Sequence, residues 1–372
     1  MRVLLDAAIF GAPPEFRARN LQESGESLLL DGLIAAGIDV TPVAPGLHTS
    51  WRGYDLVHLN HLTRSCVRLL APTRSKVVFT RHKTEAPASR LQQRVLAGAY
   101  RHSDALVVMS ETERALVLDT VDGVDPARMH VIANGVEPSH FPSRLRRRPA
   151  GGEPWRFVSV GQLIELKRVD LTVRLIADLR REGVPAVLDI VSQRETLRPE
   201  LERLAAELGV ADAVTFVGPQ TRAELGRRLL DAHFLVVASR TEAQPTVVTE
   251  SGFSGLPVIS FRVGGVVEQL PAAHPVLEVA DVGSLLPLTL DLMRDYEDVA
   301  AGFADNAAPM RERFSIERMV AAHIELYRGL LVCAVPPDRS GLSSTCSRRR
   351  TTPPARRGVS RAQRPLVRRP HR

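Results

Sequence analysis

The chain has 372 residues, 44% of them apolar, enough for two domains with ordinary buried cores. No stretch approaches the ~20 apolar residues of a membrane span, and Met1-Arg2-Val3-Leu4-Leu5-Asp6 reaches an acidic residue before any long apolar run, so the chain reads as a cytoplasmic protein without a secretory leader. The net charge of +7 is local: residues 339–372 hold eleven Arg and no Asp or Glu, and without them 38 basic residues face 42 acidic ones.

The remainder is uneven. Residues 1–150 carry 19 Lys and Arg against 15 Asp and Glu, and residues 151–338 carry 19 against 27. A basic first half suits an anionic acceptor or peripheral contact with an anionic membrane face, and is equally what an ordinary solvated surface shows by chance. Cys66, Cys333 and Cys346 are far apart. They make neither a metal-binding spacing nor a disulfide framework, as expected in a reducing compartment.

In chain order, Val3-Leu4-Leu5 opens as a strand, and Leu28 to Ala36 reads as a helix closed by Gly37. Strands are predicted at 38–43, 55–59, 76–80 and 105–109. The last runs into Ser110-Glu111-Thr112-Glu113, a capping box in which Ser110 and Glu113 satisfy the first free amides of a helix. Arg144 to Glu153 is charged and then Pro/Gly-rich, the composition of a linker. Alternation then restarts, with strands at 157–160, 187–191, 214–217, 234–237 and 257–260 and a helix over 169–182. Two doubly wound α/β halves facing a cleft account for this pattern. From Pro336 onward, clustered Arg, Pro, Ser and Thr lack an amphipathic period. That tail reads as disordered; nucleic-acid or anionic-membrane binding and a frame-shifted coding end are the other readings.

The chemistry concentrates in Ser239-Arg240-Thr241-Glu242-Ala243-Gln244-Pro245-Thr246-Val247-Val248-Thr249-Glu250. A helix starting near Thr246 turns the amides of Thr246, Val247 and Val248 toward the cleft as an anion site. Glu242 precedes that helix and Glu250 lies inside it, so two carboxylates flank a place for a diphosphate and accept hydrogen bonds from a sugar or ribose. By spacing alone, a Glu in a first helical turn is also ordinary dipole chemistry.

This Glu-x7-Glu segment, followed by Gly255-Leu256-Pro257-Val258-Ile259 and Gly264-Gly265-Val266-Val267-Glu268, resembles the donor site of glycosyltransferase family 4, which has the GT-B fold. Other pieces match in order: Asn134-Gly135-Val136-Glu137 before the linker, Val160-Gly161-Gln162-Leu163-Ile164-Glu165-Leu166-Lys167-Arg168-Val169-Asp170, Val214-Thr215-Phe216-Val217-Gly218, and Arg313 through Tyr327. The resemblance covers residues 1 to about 330 and is denser in the second half.

It implies an acceptor domain over 1–145, a donor domain over 154–312, and a helix over 313–332 crossing back to the first domain, with the tail at 336–372. It implies that Glu250 holds the ribose and Glu242 the donor sugar near the reacting carbon. Gly161 belongs to the same donor loop. Lys167 neutralises the leaving diphosphate, a role that fits the absence of an Asp-x-Asp metal motif, because fixed cations and helix N-termini then carry the charge. Thr80-Arg81-His82-Lys83 resembles a strand end whose histidine, His82, faces the donor sugar. Gly11 is the candidate for admitting the diphosphate, with Arg17 or Arg19 beside it, and it is equally a turn residue. His58 and His61 are three apart, on opposite faces of a strand, so no metal is expected there.

Three departures stand out. Gln162 replaces a second cation, for which the adjacent Arg168 is the candidate substitute. Ala243-Gln244-Pro245 replaces Gly-Phe-Gly, and Val191-Ser192-Gln193-Arg194-Glu195 replaces a Gly-rich turn. The expected activity is retaining, metal-independent transfer of a hexose-type sugar from a UDP- or GDP-linked donor, without a cofactor, to a hydroxyl of a saccharide, lipid or small molecule, with no specific nucleic-acid partner. The alternatives are a catalytically degenerate nucleotide-sugar-binding or assembly protein of the same fold, which binds nucleotide without turnover, and a nucleotide-sugar epimerase, which converts donor without acceptor.

Overall fold

The computed structural model describes residues 1–12, 24–46, 50–82 and 89–332. Arg17, Arg19, Cys333, Cys346 and the tail from Pro336 lie outside the described residues.

The first half forms a six-stranded parallel sheet from β1 (Arg2–Asp6), β2 (Asp39–Val43), β3 (Leu56–Asn60), β4 (Lys76–Thr80), β5 (Ala105–Val108) and β6 (Met129–Val131), in the order β2-β1-β3-β4-β5-β6. Alternate residues pack to opposite faces, as the strand pleat requires. Val77 and Phe79 meet α2 (Arg90–His102) through Val95, Ala99 and Tyr100. Val78, with Val3 and Leu5, meets Leu29 and Leu33 of α1 (Gly25–Ala35). The helix α3 (Glu111–Thr120) starts on Ser110, whose Oγ accepts from the Glu113 amide. Here the expected capping box is altered: the Glu113 carboxylate accepts from Met109 N–H at 2.8 Å, one residue earlier than predicted. Burial lifts that carboxyl to about 7.

The second half builds a five-stranded parallel sheet from β7 (Trp155–Val160), β8 (Ala186–Val191), β9 (Val214–Gly218), β10 (Phe234–Val237) and β11 (Val258–Ser260), ordered β11-β10-β7-β8-β9. Its helices are α4 (Val169–Arg181), α5 (Arg198–Glu207), α6 (Arg222–Asp231), α7 (Thr246–Ser254), α8 (Leu285–Arg294) and α9 (Tyr296–Arg313). The final helix α10 (Ile316–Val332) returns to the first half, burying Met319, Val320, Leu326 and Tyr327 against α1 and its sheet. The Tyr327 hydroxyl lies 2.6 Å from His58 Nδ1, and the other ring nitrogen of His58 lies 2.7 Å from Thr80 Oγ1. His58 is thus a buried strut of the core.

The segment read as a linker is anchored, not loose. Arg146 is buried and its guanidinium donates to the carbonyls of Leu230, Ala232, Ser254 and Gly255, satisfying the ends of α6 and α7. Two further links join the halves. Glu268 accepts from the amides of Glu111 and Thr112 at the N-terminus of α3, at 3.1 and 2.8 Å. The Asn134 amide donates to Gln244 Oε1 at 2.7 Å.

Candidate donor site and family

In each sheet the strand order reverses once, and ligands in such sheets bind beyond the carboxyl ends of the strands at that point. In the second sheet the reversal falls between β7 and β10. The loops leaving those strands carry Gly161 to Lys167 and Ser239 to Pro245, so the topology brings together two segments that are some eighty residues apart.

Lys167 Nζ donates to Glu242 Oε1 at 2.5 Å, and Ser239 Oγ donates to the same oxygen at 2.6 Å. Both side chains are mostly buried. Gly161 (φ +153°) turns the chain in a region closed to most side chains, and the stem of Lys167 passes over it. On the other side of Glu242, Gly264 (φ +46°) packs so closely that an added Cβ would stand 1.7 Å from the Glu242 carbonyl oxygen. The backbone of Glu242 is therefore held from behind while its carboxylate is held from in front.

A cavity of about 310 Å³ opens here, lined by Gly161, Gln162, Lys167, Arg222, Thr246, Val247 and Glu250 among others. Ser192 and Gln193, from the turn that departs from the family pattern, also line it. Glu250 is almost fully buried on α7 and is hydrogen-bonded to the Arg222 guanidinium. Thr246 and Val247 contribute the first turn of α7 to the wall, where free amides and the helix dipole favour an anion. The Val248 amide is already committed to the Pro245 carbonyl at 3.1 Å and its side chain is buried, so it does not join them.

Arg168 does not take the place of a second cation. It adopts a left-handed backbone (φ +46°), and its guanidinium runs inward to the carbonyls of Ala238, Ser239 and Val279, stacked 4.5 Å over the Phe261 ring. It fixes the end of β10 from which Ser239 and Glu242 project. The second cation on the cavity wall is Arg222, which sequence reasoning missed. Its signal was present: it is the first residue of a helix capped by Thr221, directly beyond the carboxyl end of β9. Nor does Gly11 line this cavity; it packs on Ala44 of the neighbouring strand end, where an added Cβ would stand 2.7 Å from the Ala44 Cβ. Gln244, a departure from the family pattern, reaches across to Asn134 in the other half.

His82 lies just past β4, in the first half. Its Nε2 is 3.2 Å from Asn60 Oδ1 and 4.0 Å from Glu26 Oε1. Burial lowers its pKa to about 4 against the pull of Glu26, so it is neutral at neutral pH. A larger cavity, about 620 Å³, lies between α4 and α5 around Leu163, Leu197 and Leu201, and Lys167, Glu242 and Glu250 do not line it.

The sequence pattern described as "Glycosyl transferases group 1" matches residues 144–297, and that described as "Glycosyltransferase Family 4" matches residues 41–140. A D-inositol 3-phosphate glycosyltransferase from Salinispora arenicola is 30% identical over 332 residues, covering 79% of this chain and 72% of that one. The enzyme of the same description from Thermomonospora curvata is 30% identical, and the match spans 66% of this chain and 61% of its own length. Among solved structures, sucrose-phosphate synthase from Thermosynechococcus elongatus superposes with a TM-score of 0.76 at 19% identity, over 90% of this chain and 100% of that one. Anabaena HepE in complex with UDP and glucose superposes at 0.69 with 15% identity, over 88% and 100%. These structural likenesses establish the fold, and the sequence relationships establish the kinship: the chain belongs to glycosyltransferase family 4 and is a glycosyltransferase of the GT-B fold.

Proposed function

We propose that this protein transfers a hexose-type sugar from a nucleoside diphosphate to a hydroxyl acceptor, with retention of anomeric configuration and without a metal ion. The observation that carries the reading is the cavity wall that brings Lys167, Arg222 and the first turn of α7 together with Glu250, and on which Lys167 is held by the Glu242 carboxylate behind it. A departing diphosphate develops negative charge, and two fixed cations with helix amides stabilise it without reorganisation. Glu250 is the ribose ligand and Glu242 the ligand of the sugar hydroxyls near the reacting carbon. Glu242 is tied to Lys167 and Ser239, which suits a positioning carboxylate better than a nucleophile. The acceptor hydroxyl then attacks from the side of the leaving group, whose phosphate oxygen takes its proton. His82 orients the sugar from the facing half.

A uridine diphosphate donor is supported by the HepE complexes with UDP and with UDP-glucose, which share this fold. For the acceptor, the relatives named for D-inositol 3-phosphate and the basic balance of residues 1–150 favour a phosphorylated or otherwise anionic hydroxyl compound. The same charge supports a peripheral contact with an anionic membrane face, on the cytoplasmic side. No described helix is long and apolar enough to cross a membrane.

Thermal unfolding with saturating UDP, GDP or ADP tests the donor site without needing an acceptor. A ligand at a hundred times its Kd stabilises by about 2.7 kcal/mol. A shift with one nucleotide that disappears in Glu250→Ala names the donor class. No shift with any of them in folded protein overturns the reading.

A further inference from the structure

The first sheet also reverses its order, between β1 and β3, and a second cluster of chemistry-bearing side chains gathers beyond that edge. His61 follows β3, His82 follows β4, and Glu26 lies in the first turn of α1. His61 Nε2 is 2.7 Å from Glu26 Oε1, and His82 Nε2 is 4.0 Å from the same oxygen. The two imidazole rings lie 4.4 Å apart, centre to centre, and are inclined at 41°. One ligand atom of each residue lies within 4.8 Å of the other two. A tetrahedral ion about 2.0–2.1 Å from its donors holds them roughly 3.3 Å apart, between the two separations measured to Glu26.

The backbone is bent to achieve this. His61 has φ +65°, a left-handed conformation that is strained for a non-glycine residue. The strain is held in place: the His61 amide donates to the Thr80 carbonyl, and the His61 carbonyl accepts from the Thr63 amide and the Cys66 thiol. The bend takes the imidazole off the line of β3 and turns it to Glu26 and His82. His61 lies past the end of β3, so the strand alternation expected to separate it from His58 does not set its direction: His58 pairs with Tyr327 and Thr80, and His61 finds ligand-type neighbours on other elements.

We propose that Glu26, His61 and His82 form a binding site for one divalent transition-metal ion of the zinc class. Two imidazoles and a carboxylate suit zinc, cobalt or nickel and not magnesium or calcium, which require an oxygen shell. Three protein donors leave a fourth position for water. Where His82 faces the donor sugar, as proposed above, an ion in this site withdraws it from that contact, so the metal inhibits transfer.

The test uses the full chain without an affinity tag, stripped by chelator and titrated with Zn²⁺ by calorimetry and with Co²⁺ by visible absorption. One equivalent is expected to bind, with cobalt d–d bands of a four- or five-coordinate site. His61→Ala and Glu26→Gln are each expected to weaken uptake at least tenfold, the minimum seen even for outer partners of a metal. His130→Ala, remote from the cluster, is expected to match the parent protein. UDP-induced stabilisation is measured on every variant. If UDP does nothing while zinc binds at the cluster, the donor reading falls and the metal site stands. Absence of stoichiometric uptake, or uptake unchanged in both His61→Ala and Glu26→Gln, overturns the metal site whatever UDP does.

Discussion

Lys167 and Glu242 come from loops on adjacent strands and meet at 2.5 Å, with the Ser239 hydroxyl on the same carboxylate oxygen. The pair couples the residue assigned to the leaving group with the one assigned to the sugar. Removing one transition-state donor typically costs about 10²–10³ in turnover. Lys167→Ala and Glu242→Gln are each expected to lose that much kcat. The double variant is expected to lose far less than the product, since the residues act as a unit. Measuring donor turnover in all three checks this, and near-normal activity in both single variants would falsify the site assignment.

Glu250 and Arg222 are also partners, but unequal ones. Glu250 is almost wholly buried, whereas the Arg222 side chain is 30% exposed. Arg222→Met leaves a buried carboxylate short of its cation, while Glu250→Gln leaves a guanidinium that water reaches. The first is expected to cost about 1–3 kcal/mol of stability and the second less. Urea unfolding of the two variants ranks them. Both are expected to abolish most of the nucleotide-induced stabilisation, and retention of the full UDP shift in either would remove that residue from the donor site.

Gly264→Ala is expected to damage the site out of proportion to its size. The new Cβ would meet the Glu242 carbonyl oxygen at 1.7 Å on a backbone with φ +46°, so the loop must move. The cost is about 1–3 kcal/mol, with loss of turnover as Glu242 shifts. Gly302→Ala is the contrast: it lies inside α9 with nothing within 4 Å, and is expected to stabilise by about 0.5–1 kcal/mol with turnover unchanged. Equal effects of the two would refute the positioning role of Gly264.

Stability is expected to fall as pH drops from about 6.5 toward 4. Burial holds His82, His233 and His323 at about 4 and His58 well below its ordinary value. Between about 4 and 6.5 the unfolded chain binds protons at these imidazoles that the folded chain refuses, so acidification favours unfolding. Glu113, lifted to about 7 by burial, acts in the opposite sense over pH 4.5–7 and offsets part of the slope, and Asp6, raised by burial, acts in the same sense as Glu113. Urea unfolding at pH 7, 6 and 5 measures the net. His323→Leu is expected to flatten the dependence by about one proton, and a flat profile in the parent protein contradicts it.

The sequence exposed much of this because its signals are local. Apolar runs bounded by turn residues located the strands, and a short-range pattern placed Lys167 and Glu242 beyond strand ends and Glu250 inside the helix that follows. The reading of a helix starting near Thr246 matches α7, which begins at that residue after Pro245. What local pattern does not contain is direction. Lys167 and Arg168 are neighbours, yet one reaches Glu242 and the other turns inward to main-chain carbonyls, because the left-handed turn at Arg168 sends successive side chains apart.

By itself, then, the sequence determined the alternation of strands and helices, the division into two halves and the identity of the family, all of which follow from hydrophobic period and short motifs. Only the tertiary structure decided which distant residues share a space. Arg222 joins Glu250, Gln244 joins Asn134, and Glu26, His61 and His82 converge, since each depends on strand order and on the close approach of separate elements. A parallel sheet sets that order by how crossovers stack side chains in three dimensions, and no window along a one-dimensional chain records it.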